Sequence, residues 1–122
     1  MTRMKAPPLP RGFIPAMLAF VCLMPIRAES FEPQRGVAAV YDAKRFTGRP
    51  MANGVRFDPQ AAVAAHLHLP LGTRAQVTNL RTGRTTTVTI SDRGPHTPGR
   101  IIDLSPRSAR EIGMNGGLAQ VE

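Results

Sequence analysis

The chain has 122 residues and a formal net charge of +8, which sets the expectation of one small domain. Its single cysteine, Cys22, excludes a disulfide framework. One tyrosine, no tryptophan and no basic tract argue against nucleic acid; arginines spread along the chain suit an acidic polymer such as a cell wall.

Arg3, Lys5 and Arg11 precede an apolar run from Phe13 to Ile26, and the small residue Ala28 follows. That order is the pattern of a secretory signal peptide over residues 1–28. Pro15 and Pro25 interrupt the run, which is too short for a membrane span. The expected location is the periplasm or cell envelope. Cys22 stands inside the apolar run, after Val21 and before Leu23-Met24, which argues against lipid anchoring there. Removing residues 1–28 takes away Arg3, Lys5, Arg11 and Arg27 and lowers the charge from +8 to +4.

Residues 29–35 are polar and read as a flexible lead-in to a domain over 36–122. Residues 36–43, GVAAVYDA, predict a first strand. Residues 44–59 are dense in Gly, Pro and Asn, with an Asn53-Gly54 turn signal, and predict a long ordered loop. Asp58 as N-cap and Pro59 at the first helical position predict a short helix through Ala65. Residues 73–80 and 85–91 alternate apolar and polar side chains around the turn 81–84, which predicts a hairpin. Residues 99–105 form another short strand. Ser105-Pro106 then opens a helix that Gly113 closes, and 117–122 begin a last strand. Short strands with brief helices in so small a chain predict a β-barrel, whose closure leaves no exposed edge.

Asp92 and Asp103 lie eleven positions apart, each at the end of a strand beside a turn. Two readings stand open. Asp92 is a turn residue before Gly94-Pro95 and Asp103 a helix cap, or both are carboxylates of one site. Ser105, directly before Pro106, fills the cap better, which frees Asp103. His66 and His68 would share one face of a strand, but no third ligand stands at metal-binding spacing, so no metal site is expected. No cofactor motif is present either.

Four blocks, ANG-x-x-FD (52–58), AAH-x-x-LPLGT-x-x-x-VTNL (64–80), DRGP (92–95) and GRIIDLS (99–105), carry a resemblance in order and spacing. Together they resemble the RlpA-like family of double-psi β-barrel domains, from Gly36 to Glu122. The resemblance implies a mainly β fold: a six-stranded double-psi barrel with one or two short helices. It implies an endolytic lytic transglycosylase acting on peptidoglycan, in cell wall turnover and septal cell separation. In that reaction the muramic acid C6 hydroxyl attacks its own C1 and leaves a 1,6-anhydro end, without water.

Glycosidic cleavage needs an acid for the leaving oxygen and a base for the attacking hydroxyl. On the resemblance, Asp92, Asp103 and His66 are the catalytic candidates. Asn53, Gly54, Tyr41, Phe57, Arg93, Gly94 and Arg100 are the candidates for lining the glycan groove, with Arg93 able to grip a carboxylate or to pair with an aspartate. The expected partner is the glycan strand, with association at the division septum and a monomeric chain. The chain departs from the family at three places. Val55 replaces a glutamate, Val40 an aromatic and Asp42 a glycine. Val55 neither ionises nor hydrogen-bonds, and it favours an alternative: a non-catalytic, expansin-like barrel that binds peptidoglycan.

Overall fold

The computed structural model describes Met4 and Glu32–Glu122; apart from Met4, the proposed signal peptide lies outside the described residues. Glu32–Glu122 form one unit. It holds six strands and two short helices: β1 (Gly36–Val40), α1 (Ala43–Phe46), β2 (Val63–Ala65), β3 (Arg74–Thr78), β4 (Thr85–Asp92), β5 (Arg100–Leu104), α2 (Pro106–Glu111) and β6 (Leu118–Val121).

The strands form one sheet in the order β3-β4-β2-β5-β1-β6. Two pairs, β1/β5 and β2/β4, are parallel, and the other three are antiparallel. The two edges then find each other. Asn79, just past β3, bridges Val121 of β6, and Thr78 and Glu122 exchange both backbone bonds at 2.9 and 3.0 Å. This closes the sheet and satisfies edge groups that would otherwise face solvent or another chain. The expected six-stranded double-psi barrel with two short helices is what the chain forms.

The interior is filled by small and branched side chains: Ala38, Ala64, Val77, Val88, Ile90, Ile102, Leu104, Ala109, Ile112 and Val121. Alternation delivers them, since Ile102 and Leu104 point inward and Asp103 between them points out. α2 is capped as its sequence suggests. The Ser105 side chain accepts the Ser108 N–H and donates to the Ala61 carbonyl at 2.6 Å. Gly113, at φ +71°, ends the helix in the left-handed region.

Two local readings are corrected. The helix expected over 59–65 does not form. Asp58 caps only a turn, accepting the Gln60 N–H at 2.9 Å, and Val63–Ala65 become the strand between β4 and β5. Pairing on both sides outweighs the helical propensity of an alanine run. The loop expected over 44–59 contains α1, whose cap is Asp42: its carboxylate accepts the Lys44 N–H at 3.0 Å.

Because Ser105 carries the cap and also satisfies a carbonyl outside its helix, Ser105→Ala should lower unfolding stability by about 1–3 kcal/mol. Asp103→Asn should cost less than that. Denaturant unfolding of the two variants checks the assignment, and a larger loss at Asp103 would move the cap role there.

Candidate functional site

The site is organised by a row of residues across three strands. Ala65 of β2 pairs with Asp103 of β5 on one side and Asp92 of β4 on the other. One step along, Ala64 pairs with Leu104 and Ile90, and all three are buried core. Side chains in one lateral row share a face. The row Ile90–Ala64–Leu104 therefore faces the interior, and Asp92–Ala65–Asp103 faces the opposite way, with Ala65 itself buried and the two aspartates half-buried. The two carboxylate-bearing backbones are two strand spacings apart, roughly 9–10 Å.

Simple alternation from Val88 and Ile90 would turn Asp92 inward. The register shifts between Ala64 and Ala65, so Ser91 has no partner in the ladder and Asp92 changes face. Ser91 is buried and Asp92 is half-buried. A bulge beside a site is a known way to re-aim one side chain.

Asp92 is held at both oxygens. Oδ1 accepts the backbone N–H groups of Ala52 and Arg93, both at 2.9 Å, and Oδ2 accepts the Tyr41 hydroxyl at 2.8 Å. The Asn53 N–H adds a bond to the Ser91 carbonyl at 3.1 Å, so the 51–55 loop is docked on the end of β4. Within that loop Asn53 accepts the Val55 N–H, and Gly54 turns the chain at φ +84°. Tyr41 stacks on Phe57 at 4.6 Å and meets Phe46 edge-on at 5.7 Å. Burial, then the bond to Asp92, then the charges of Asp92 and Asp103 push its phenol well above the ordinary range, so it stays a donor. Phe57 is only 3% exposed and supports Tyr41 from beneath.

Asp103 is the less encumbered carboxylate. Its Oδ1 accepts one bond, from Arg100 at 2.8 Å, and its Oδ2 has no bond to any described residue. The Arg100 Nε is buried and has no partner among the described residues. Arg93 does not pair with either aspartate: its guanidinium donates to the carbonyls of His66 and Leu69, at 3.0 and 2.6 Å, and fixes the loop after β2. Gly94 is buried beside it.

His66 sits one residue beyond Ala65, and its N–H bonds the Asp92 carbonyl at 3.2 Å. Its imidazole touches neither carboxylate. Nδ1 accepts the N–H groups of His68 and Leu69, and Nε2 faces Gln34 Oε1 at 3.1 Å. Burial, with His68 and Arg93 nearby, lowers its proton affinity below the ordinary histidine range. Among the described residues no group of three His, Cys, Asp or Glu side chains could hold a metal ion. Val55, where the sequence resemblance expects a glutamate, is 58% exposed on the docked loop.

The sequence therefore points to the residues but not to their connections. Tyr41 appears there as a sugar-contacting aromatic; its bond to Asp92 needs the fold. Ala65, the Ala52 N–H and Gln34 carry no signal of their own.

The family model described as "Lytic transglycolase" matches residues 33–122. The chain is 54% identical over 89 residues to a probable endolytic peptidoglycan transglycosylase RlpA from Nostoc, covering 71% of this chain and 24% of that protein. It is 49% identical over 81 residues to the endolytic peptidoglycan transglycosylase RlpA of Pasteurella multocida, covering 66% and 27%. The chain thus spans about a quarter of the length of these relatives. Among solved structures, the Streptomyces papain inhibitor is similar at 21% identity and a TM-score of 0.49, over 72% of this chain and 94% of that one. With its four sequence blocks gathered on one closed barrel, the chain belongs to the lytic transglycosylase family of RlpA-like double-psi β-barrel domains.

Proposed function

We propose that this domain cleaves peptidoglycan glycan strands as an endolytic lytic transglycosylase, and that the outward row Asp92–Ala65–Asp103 is its catalytic centre. The observation that carries this is the shared face of the two carboxylates, produced by the register shift in a barrel of this family. The names of the relatives favour an enzyme over a non-catalytic binding barrel.

Asp103 is suited to move the proton because one of its oxygens accepts no bond from any described residue. Protonated on Oδ2, with Oδ1 still bonded to Arg100, it passes that proton to the glycosidic oxygen as the C1–O4 bond breaks. The muramic acid C6 hydroxyl closes on C1 to form the C1–O6 bond, and its proton returns to Asp103. One carboxyl then serves both steps and no water is consumed. Asp92 is suited to a fixed role. Its charge sits on the same face as the C1 centre that becomes positive, and its three donors hold both it and the 51–55 loop in place. The Tyr41 phenol lies within the field of both carboxylates and orients Asp92. The same reading places the protein in the periplasm or cell envelope, as a monomer acting on septal wall.

Asp103→Asn should abolish release of 1,6-anhydro-muramyl products from isolated sacculi, by about 100-fold or more. Its melting temperature should move little, since a partly exposed ion pair contributes up to about 1 kcal/mol. Asp92→Ala should lose activity and stability together, because it deletes the acceptor of three bonds worth about 1 kcal/mol each. Mass spectrometry of the digests and thermal unfolding check both. Full activity in Asp103→Asn would remove it from proton transfer.

The imidazole of His66 adds a pH dependence. Its proton affinity is lower in the fold than the unfolded value of 6.5. Unfolded chains therefore take up a proton that the native state refuses as pH falls through that value, and stability falls with it. The parent should lose more melting temperature between neutral and acidic buffer than His66→Asn. Equal losses would contradict the assignment.

A further inference from the structure

Two hydrogen bonds decide which proton His66 carries. Nδ1 accepts from two backbone N–H groups, His68 at 3.0 Å and Leu69 at 3.1 Å, so it holds a lone pair and the ring proton is on Nε2. Nε2–H is thus a donor, and only an acceptor can sit against it. The acceptor present is the side-chain carbonyl of Gln34, at 3.1 Å. With that amide in place, His66 is 8% exposed.

Gln34 belongs to residues 32–35, which are exposed and have no regular secondary structure. Its neighbour Arg35 pairs with Glu122, with side chains 71% and 38% exposed. Pairs so exposed to solvent contribute little. Among the described residues, the side-chain bonds that hold this amide and its neighbour are one neutral hydrogen bond and one weak ion pair. The donor beneath it is rigid by contrast, because Arg93 ties the His66 and Leu69 carbonyls together.

We infer that the His66 Nε2–H is a recognition point for the acetamido carbonyl of an N-acetylated sugar, and that Gln34 occupies this point when no glycan is bound. A glutamine side chain and an acetamido group present the same amide oxygen on a planar carbon. His66 follows Ala65, about 3.3 Å along the chain from the centre of the carboxylate row, and its backbone is bonded to that of Asp92. The inference rests on the glycan-cleaving reading of the site and adds the group by which the substrate is chosen.

The test uses the parent, Gln34→Ala and Gln34→Glu, titrated by NMR with the β-1,4 tetramer of N-acetylglucosamine and with the glucose tetramer of the same linkage. Gln34→Ala should bind the acetylated tetramer about 3–10-fold more tightly, the worth of one competing hydrogen bond. Gln34→Glu should bind it more weakly than the parent, because a carboxylate holds the Nε2–H more firmly. Neither change should alter affinity for the glucose tetramer, and the His66 Nε2 resonance should move only with the acetylated sugar. No gain in Gln34→Ala, or an equal gain for both sugars, would overturn the inference. The two readings fail differently. Acetylated strands bound in a residue-34-dependent way but left uncut would count against the enzyme alone, while cutting indifferent to residue 34 would count against the subsite alone.

Discussion

The site depends on one unpaired residue in one strand. Without the register shift at Ser91, strict alternation would carry Asp92 to the side of Ile90 and bury a carboxylate in an apolar interior. With the shift, Asp92 joins Asp103 across Ala65 and meets three donors waiting on the outer face. The other features of the site follow from that turn. The 51–55 loop docks because Asp92 offers Oδ1 to Ala52, and Tyr41 is fixed because Oδ2 accepts its hydroxyl.

Such a shift needs a frame stiff enough to hold it. The barrel supplies one by bonding its two edge strands to each other and by running β2 between two partners. β2 is only three residues long and two of them are alanine. Small side chains there let β4 and β5 bring their aspartates to one row without a bulky group between the strands. The aromatic stack of Tyr41, Phe57 and Phe46 then braces the outer side of the same row. The two aspartates are consequently unequal: one is built into the frame, and the other keeps an oxygen that no described residue bonds.

Most of the barrel was legible in the sequence because its strands are bounded by strong local punctuation. The Thr-rich hairpin, the Ser105-Pro106 cap and the Gly113 stop each form where their residues suggest. β2 was misread as helix because Asp58-Pro59 followed by alanines sends the same local signal whether the next three residues coil or pair. The candidate residues were legible through short blocks, but their roles were not. Nothing in TISD announces a bulge, and nothing in the chain links Tyr41 to Asp92 fifty-one residues away. His66 shows the same limit from the other side. Its position beside the row is readable, yet its ring is committed to the 66–69 turn and to Gln34 rather than to a carboxylate.

The reaction proposed for this row is internal attack within the glycan rather than attack by water. Digestion of purified sacculi in heavy-oxygen water, followed by mass spectrometry of the released muropeptides, tests it most directly. Internal attack should leave 1,6-anhydro-muramyl ends that carry no heavy oxygen. Heavy oxygen at the newly formed sugar ends, or strands left intact, would contradict it.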